Sequence, residues 1–499
     1  MAAVVKRRPL HRDVESDTVF AAARSLISEC IEFHENCRFS RDTVLPRRVM
    51  DVGQSGDSVR LQVNDTETHA SYLALSYCWG EQPRPASPVQ PVLLRRDTLQ
   101  QLVTDIPLTT LQQSVQDAVL VTRELGFRYL WADALCIIQD CEADKGREIS
   151  QMASIYKNAA VTIAASCSHG AAAGFLSNRG CRPYLPSQEF RIPMPGGQTG
   201  TVYLSAEPYE PEHPLDKRGW ALQEFMLSSR LLIFSDYELL WQCKEVDLRG
   251  VTGKGLDYLQ PLESLPWTVF DDDDGGGEDG GAGPDFGNLD SDKIYLWMTI
   301  VHQYTERQLT KLEDRLPALT GVTTELEMLW RDSNIYGLWR RWFVPLLAWY
   351  KPPGDREGKR CLARAPSWSW ASLDGVVCYK GQLTTQDAKV KTLTVSTAEL
   401  TCRLLEESRV PKKKAHTIQE GPDLVDPAAE LRQKGIRNRE PAYLLLGTIA
   451  EKGVEKGIGL LVVDVGAGYR RIGLVLFEDM ALWGGTKYRD ITLEPKITG

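Results

Sequence analysis

Apolar residues recur at helical and strand spacings along most of the chain. A helix is predicted over residues 17–37, where apolar side chains recur every three or four positions. Extended segments are predicted around Pro46–Val52 and Ser58–Val63. From Tyr72 to Cys243 apolar strands alternate with amphipathic helices, which is typical of an α/β fold.

Within this stretch the predicted elements follow the order βαβαβ. In chain order they are Tyr72–Tyr77, Pro107–Gly126, Arg128–Ala132, Asp144–Asn158 and Ala160–Ala165. Short strands joined through helices form a parallel sheet, and ligands bind such sheets at the carboxyl ends of the strands. We therefore expect a binding crevice at Ser76–Glu81 and Asp133–Asp140.

The second half of the chain has a different pattern. Residues 271–287 are acidic and rich in Gly, which predicts a disordered linker. Helices are predicted from about Asp290, at Ala318–Arg331 and at Tyr336–Tyr350, and antiparallel strands at Tyr443–Ile449, Gly457–Val463 and Tyr469–Phe477. Trp368 and Trp370 are interpreted as core aromatics on one face of a strand.

These patterns divide the chain into four parts. An N-terminal helix and lead-in cover residues 1–65, and an α/β domain covers residues 66–250. The linker at 271–287 precedes a C-terminal region, residues 288–499, which is helical and then β-rich.

Composition restricts the class of protein. The 499 residues are 42% hydrophobic and 25% charged, which is the balance of a globular protein with more than one domain. A net charge of −9 argues against a nucleic-acid partner, and no apolar run is long enough for a membrane span. The basic N-terminus lacks the apolar core of a secretory signal. Eleven scattered cysteines, an odd count, are typical of a reducing compartment, so we expect a cytoplasmic protein.

One group of potential metal ligands is present. Cys30, His34 and Cys37 lie at helical spacings, but a zinc site needs a fourth ligand, and no CxxC partner lies nearby. Free buried cysteines are the favoured interpretation, and no metal is predicted. The chain also lacks GxxxxGK[ST], HExxH and GxSxG, and no GxGxxG follows a predicted strand, so no cofactor is predicted.

Three long blocks resemble, in order and spacing, the heterokaryon incompatibility (HET) domain of filamentous fungi. They are YLALSYCWG, RYLWADALCIIQDCEADKGREISQMASIYKNAAVTIAAS and RGWALQEFMLSSRLLIFSDYELLWQC. ECIEFHENC and LPRRVMDV are similar to the lead-in of such proteins, and APSWSWASLDG to their C-terminal extension. The resemblance implies a TIR/flavodoxin-like parallel-sheet core and a role in self/non-self recognition, where contact with non-self ends in programmed cell death.

The TIR likeness implies a specific chemistry. Some TIR domains cleave NAD with a helix-borne glutamate, and here Glu148 lies about half a right angle from the centre of the buried face of its predicted helix. Partial burial would raise the pKa of this carboxyl group, and such a group can hold a ribose hydroxyl during glycosidic cleavage. The alternative is a glutamate at the helix margin that pairs with Lys145 or Arg147, or caps the helix.

The crevice residues carry two interpretations each. Ser76, Tyr77 and Trp79 end the first strand, where an aromatic ring stacks on a base or fills the core. Gly80 allows a tight turn or a close approach to a ligand. Asp133 accepts hydrogen bonds from a ribose or caps the turn after its strand.

Arg218 is the remaining candidate. It could bind a phosphate, but an ion pair with Asp133 or Glu224 is the favoured interpretation, because buried charges are usually paired. Two function hypotheses follow. The domain is an enzyme that consumes NAD or a related nucleotide, or it is a non-enzymatic signalling module that acts by assembly with protein partners. The TIR likeness also implies self-association, on which TIR-like activity often depends.

Overall fold

The structure of the protein, a computed structural model, describes residues 13–37, 43–80, 91–176, 188–204, 213–236, 238–252, 290–433 and 439–496. The chain divides into two compact units, residues 1–267 and 268–499. The predicted linker at 271–287 lies outside the described residues. Across the described ranges, no helix is both long enough and apolar enough to cross a membrane.

The first unit is built on one nine-stranded mixed sheet with helices. Its helices are α1 (Asp17–Phe33), α2 (Leu99–Thr104), α3 (Gln113–Glu124), α4 (Asp133–Cys136), α5 (Glu142–Asn158) and α6 (Gly219–Leu227). Its strands are β1 (Arg48–Asp51), β2 (Ser58–Val63), β3 (Tyr72–Ser76), β4 (Ile106–Pro107), β5 (Tyr129–Trp131), β6 (Val161–Ala164), β7 (Gln188–Pro193), β8 (Thr199–Leu204), β9 (Arg230–Phe234), β10 (Leu239–Cys243) and β11 (Arg249–Gly250). The hairpin β7–β8 is separate from the main sheet.

The centre of the sheet is parallel, as the sequence predicts, and the α/β class is confirmed. The full order is β11-β10-β9-β6-β3-β5-β1-β2-β4, and β3 pairs in parallel with β5 and β6, as does β6 with β9. Numbered along the chain, the four parallel strands lie in the order 2-1-3-4. This is the flavodoxin-type order, whose topological switch point lies between the first and third strands. Here that point lies between β3 and β6.

Hydrophobic burial explains why these segments form the core. Every residue of β3, β6 and β9 is buried, as expected for strands covered on both faces. The predicted helix at Pro107 begins later than expected, because Pro107 belongs to β4 and α3 starts at Gln113. Gly126 follows the end of α3 with φ +82°, a left-handed conformation that favours glycine.

The lead-in belongs to the same core as the parallel sheet. β1 pairs antiparallel with β5, and β2 pairs with β1, so both extend the sheet. Helix α1 buries Phe20, Ala23 and Ile27 in the hydrophobic core of this unit.

The second unit is helical and then β-rich, as predicted. Its helices are α7 (Asp290–Thr305), α8 (Thr320–Trp330), α9 (Phe343–Leu346) and α10 (Pro427–Gln433). Its strands are β12 (Asn334–Ile335), β13 (Leu338–Trp339), β14 (Trp349–Tyr350), β15 (Cys378–Tyr379), β16 (Thr385–Gln386), β17 (Lys389–Leu393), β18 (Ala398–Glu406), β19 (Ile418–Pro422), β20 (Pro441–Glu451), β21 (Val454–Asp464), β22 (Tyr469–Phe477) and β23 (Tyr488–Leu493). The predicted hairpins are confirmed, because β20, β21 and β22 pair antiparallel in sequence.

Two predictions for this unit are wrong. The helix predicted at Tyr336–Tyr350 is instead the second strand of the short hairpin β12–β13, the single turn α9 and strand β14. Its continuity is broken by left-handed conformations at Tyr336 and Gly337. Trp368 and Trp370 lie in a turn and a 3₁₀ helix rather than a strand, although both are buried core aromatics.

Candidate functional site

Five of the predicted site residues meet at the carboxyl ends of β3 and β5. We call Ser76, Tyr77, Trp79, Asp133 and Arg218 the crevice cluster. Ser76 ends β3, Asp133 begins α4 directly after β5, and Arg218 caps the start of α6. The cluster therefore lies at the carboxyl edge of the parallel strands, which is the edge at which such sheets bind ligands, although the switch point itself lies on the other side of β3.

Asp133 holds the cluster together. Its carboxylate accepts hydrogen bonds from Trp79 Nε1, at 3.1 and 2.9 Å to the two oxygens, and from the Ala134 amide at 2.7 Å. Burial raises the pKa of Asp133, although the positive charge of Arg218 opposes this shift. Asp133 thus has the predicted capping contact, and its carboxylate also fixes the ring of a half-buried tryptophan.

Tyr77 lies beneath this pair and is fully buried. Its carbonyl oxygen accepts a hydrogen bond from Arg218 Nη1. Its phenolic hydroxyl faces the Asp133 carboxylate, although no hydrogen bond of good geometry joins the two. Burial first, and then the Asp133 carboxylate, raise the pKa of Tyr77 well above its ordinary value.

Glu224 joins the cluster from α6. Ser76 Oγ donates a hydrogen bond to Glu224 Oε2, and burial raises the pKa of Glu224. The charge of Arg218 favours the ionised forms of both Glu224 and Asp133. This arrangement fits the predicted ion pairing of Arg218 with these two carboxylates, and it secures α6 against the end of β3.

Gly80 brings two loops into contact at the switch point. It adopts φ +79°, and a Cβ atom there would lie only 2.9 Å from Gly170 Cα in the loop after β6. The Ala171 amide also donates to the Trp79 carbonyl at 3.3 Å. Only glycine permits this approach, so in the structure Gly80 contacts protein backbone.

Glu148 lies in a second group, which we call the Arg48 cluster: Arg48, Asp144 and Glu148. All three side chains are at most 4% exposed. Arg48 Nη2 contacts Asp144 Oδ2 at 2.5 Å and Glu148 Oε1 at 3.1 Å. Arg48 Nε donates to the Cys136 carbonyl at 2.6 Å, which ties the cluster to α4.

The two carboxylates of this cluster are in different electrostatic states. Asp144 also accepts from the Ile138 amide at 2.9 Å and Arg147 at 2.8 Å, and these bonds outweigh burial and lower its pKa. Glu148 accepts only from Arg48 within the described part of the chain. Burial therefore prevails and raises the pKa of Glu148, with Arg48 as the main opposing charge.

The structure thus places the predicted residues in two neighbouring clusters. Tyr77 and Asp133 lie together, whereas Glu148 contacts Arg48 rather than either of them. Cys136 lies between the clusters, because the pKa of its buried thiol responds to both Glu148 and Asp133. Both clusters lie at the carboxyl edge of the sheet, since β1 places Arg48 beyond the end of β5.

Arg48, which supplies the positive charge that pairs with Asp144 and Glu148, was not identified from the sequence. Arg48 lies in the LPRRVMDV segment, about one hundred residues before its acidic partners. A buried arginine can be suspected when a basic pair interrupts an otherwise apolar strand, but its partner cannot be read from local spacing. The predicted partners of Glu148, Lys145 and Arg147, bind Glu142 and Asp144 instead.

These elements define an α/β domain with a flavodoxin-type parallel core and a polar carboxyl edge. The model of the family described as Heterokaryon incompatibility protein (HET) matches residues 72–224, the segment from the start of β3 to α6. The chain therefore carries a heterokaryon incompatibility domain, as the resemblance implied, and its role is related to heterokaryon incompatibility. Comparison with curated proteins and with solved structures found no match.

Proposed function

We propose that this protein brings about cell death on contact with non-self by cleaving NAD or a related nucleotide, with Glu148 as the catalytic carboxylate. One observation carries the proposal: Glu148 is buried at the ligand-binding edge of the sheet and its pKa is raised. Perturbed carboxyl groups in such positions are frequent at functional sites.

The chemistry requires one carboxylate close to a ribose. Cleavage of the N-glycosidic bond releases nicotinamide and develops positive charge on the ribose, which a nearby carboxylate stabilises. Water then adds to the ribose carbon and loses a proton, so the products are nicotinamide, ADP-ribose and a proton. Glu148 has acceptor capacity for a ribose hydroxyl beyond its single bond to Arg48.

The crevice cluster supports nucleotide binding. Trp79 is only half-buried and its ring is held by Asp133, so it is suited to stack on a base or nicotinamide ring. Arg218, for which the sequence gives phosphate binding as the less favoured interpretation, supplies positive charge for a phosphate.

Incubation of the purified full chain with NAD tests the proposal. The wild type, at high concentration or oligomerised, is compared with Glu148→Gln and with the control Glu142→Gln, an exposed glutamate on the same helix. We expect nicotinamide release from the wild type and the control, and a loss of about 100-fold or more in Glu148→Gln. Equal turnover by the two variants, with unchanged melting temperatures, would reject Glu148 as the catalytic group.

The second candidate is a non-enzymatic module that acts by assembly with protein partners. The observation in its favour is that Glu148 already pairs with Arg48, and that Asp133 already accepts hydrogen bonds from Trp79 and the Ala134 amide. Absence of NAD turnover in every assembly state, while Glu148→Gln still associates with partners normally, would favour this module.

A further inference from the structure

Four potential metal ligands converge at the end of α1, in a place unrelated to the carboxyl edge. Cys30, His34 and Cys37 are joined by Cys243, the last residue of β10. Their ligand atoms, three Sγ and one imidazole nitrogen, all lie within 4.8 Å of one another. The three cysteines are at most 3% exposed, so the group is closed to solvent on most sides. The missing fourth ligand is 206 residues beyond Cys37 in sequence (243 − 37).

We propose that these four side chains bind one structural Zn²⁺ ion. A tetrahedral site with usual zinc–sulfur and zinc–nitrogen bonds requires nitrogen–sulfur separations of about 3.6 Å. His34 Nδ1 lies 3.4 Å from Cys243 Sγ and 3.8 Å from Cys37 Sγ, on either side of that value. Three thiolates and one imidazole are a soft ligand set, which selects zinc among the common divalent ions.

The secondary structure brings the four ligands together without a bound metal ion. Cys30 and His34 are four residues apart, so consecutive turns bring them to the same side at the end of α1. The Asn36 amide donates to Glu245 Oε1 at 2.6 Å, which fastens the segment that carries Cys37 to the residues following β10. The ligands are therefore held by two elements that pack together, α1 and β10.

Arg230 supplies the charge that such a site needs. When three cysteine thiols lose their protons to bind Zn²⁺, the complex carries one net negative charge. Arg230 is buried, pairs across the strands with Cys243, and donates from Nε to Cys30 Sγ at 3.1 Å. It also donates to the Cys37 carbonyl oxygen. An outer-shell cation that hydrogen-bonds a ligating thiolate both orients the ligand and offsets the charge.

Four protein ligands leave no open coordination position, so the ion acts in folding rather than in catalysis. It joins α1, which precedes the HET segment in sequence, to β10, which follows that segment. Zinc affinity should thus be part of the stability of the first unit. This inference does not depend on the proposed NAD chemistry, because none of its residues belongs to either cluster at the carboxyl edge.

Metal analysis of the full chain, purified under reducing conditions, tests the site. We expect about one zinc per chain in the wild type, as a single closed site implies. Cys243→Ala and His34→Ala should lose it, whereas the control Cys361→Ala, an exposed cysteine of the second unit, should keep it. Replacement of zinc by Co²⁺ should give the visible bands of tetrahedral cobalt with thiolate ligands, and these bands should be absent in Cys243→Ala.

Two results would overturn the proposal. One is a folded wild-type protein that holds no zinc and shows no tetrahedral cobalt spectrum. The other is a disulfide among Cys30, Cys37 and Cys243 in the protein as isolated, found by mass spectrometry without reduction. If the variants fail to fold, the metal content and cobalt spectrum of the wild type still decide the question.

Discussion

Each unit of the molecule contains a buried network of charges, and the two networks are built differently. In the first unit Arg48 faces two carboxylates, Asp144 and Glu148. In the second unit two arginines, Arg471 and Arg360, face the carboxylate of Asp423, and all three side chains are fully buried. Arg360 also lies 3.5 Å from Glu430. The buried arginine of the first network therefore meets two carboxylates, whereas the buried carboxylate of the second meets two arginines.

Arg471 is the fully hydrogen-bonded member of the second unit's network. Every nitrogen of the Arg471 guanidinium donates a hydrogen bond, to Asp423 or to the carbonyls of Leu347 and Trp349. The guanidinium also lies 3.3 Å from the centre of the Trp349 ring. These contacts join β22 to the chain between α9 and β14, which is a structural role.

In the Arg48 cluster, one carboxylate, Glu148, has hydrogen-bond acceptor capacity that no partner uses within the described residues. Asp144 receives three polar partners, while Glu148 receives one, and their pKa values shift in opposite directions. The comparison of the two networks shows that burial alone does not identify a charged residue as functional. A buried charge whose hydrogen bonds are complete stabilises the fold, and one with incomplete bonding at a binding edge is available to a ligand.

Arg471→Met should have the largest effect on stability. It removes a fully buried cation and leaves two carbonyls and part of the Asp423 carboxylate without partners. We expect a loss of about 3–5 kcal/mol in the free energy of unfolding of the second unit. Calorimetry measures this, with Arg432→Met as control, because Arg432 is exposed and its pair with Asp426 should contribute little. Equal unfolding transitions for the two variants would contradict a structural role for the buried hydrogen bonds of Arg471.

Arg48→Met should have a smaller effect, about 2 kcal/mol, as expected for lost hydrogen bonds to charged groups. Asp144 keeps its bonds from Ile138 and Arg147, so only Glu148 loses its cation entirely. Urea unfolding of the first unit measures the change. A loss as large as that of Arg471→Met would show that Arg48 is as important to stability as Arg471, and would contradict the difference between the two networks.

The smallest expected effect is on the pH dependence of stability, to which Glu148 and Asp144 should contribute with opposite signs. The raised pKa of Glu148 means that wild-type stability falls as pH rises from about 4.5 through the raised value, so Glu148→Gln should gain relative to wild type. The lowered pKa of Asp144 contributes stability above about 3.8 that is lost at lower pH, so Asp144→Asn should be most deficient at neutral pH. Urea unfolding between about pH 3 and 7 gives both slopes. Slopes of the same sign would show that the two carboxylates are equivalent.

Local patterns predict much of the parallel core and less of the second unit. The strands β3, β5 and β6 come from short apolar runs, and α5 from its amphipathic period, so sequence alone places them within a few residues. The segment Tyr336–Tyr350 shows the limit. Its Trp and Leu residues are suited to either structure, and the left-handed turn that breaks the helix depends on packing by Trp370 against Gly337.

The candidate site was partly readable for the same reason. Asp133 and Trp79 end predicted strands of a parallel sheet, and the sheet rule places both at one edge. Arg48 and Cys243 could not be found this way, because each meets its partners through pairings that span about one hundred to two hundred residues. Such contacts are properties of strand order, which periodicity does not contain.

The outermost strands of the first unit's sheet restrict how this protein can self-associate. The sheet ends in β4 and β11, each of two residues, and Pro107 in β4 has no amide hydrogen to donate. Another chain could therefore form few ladder bonds at either border. Oligomers of this domain should therefore not be built by adding strands at the two borders of this sheet.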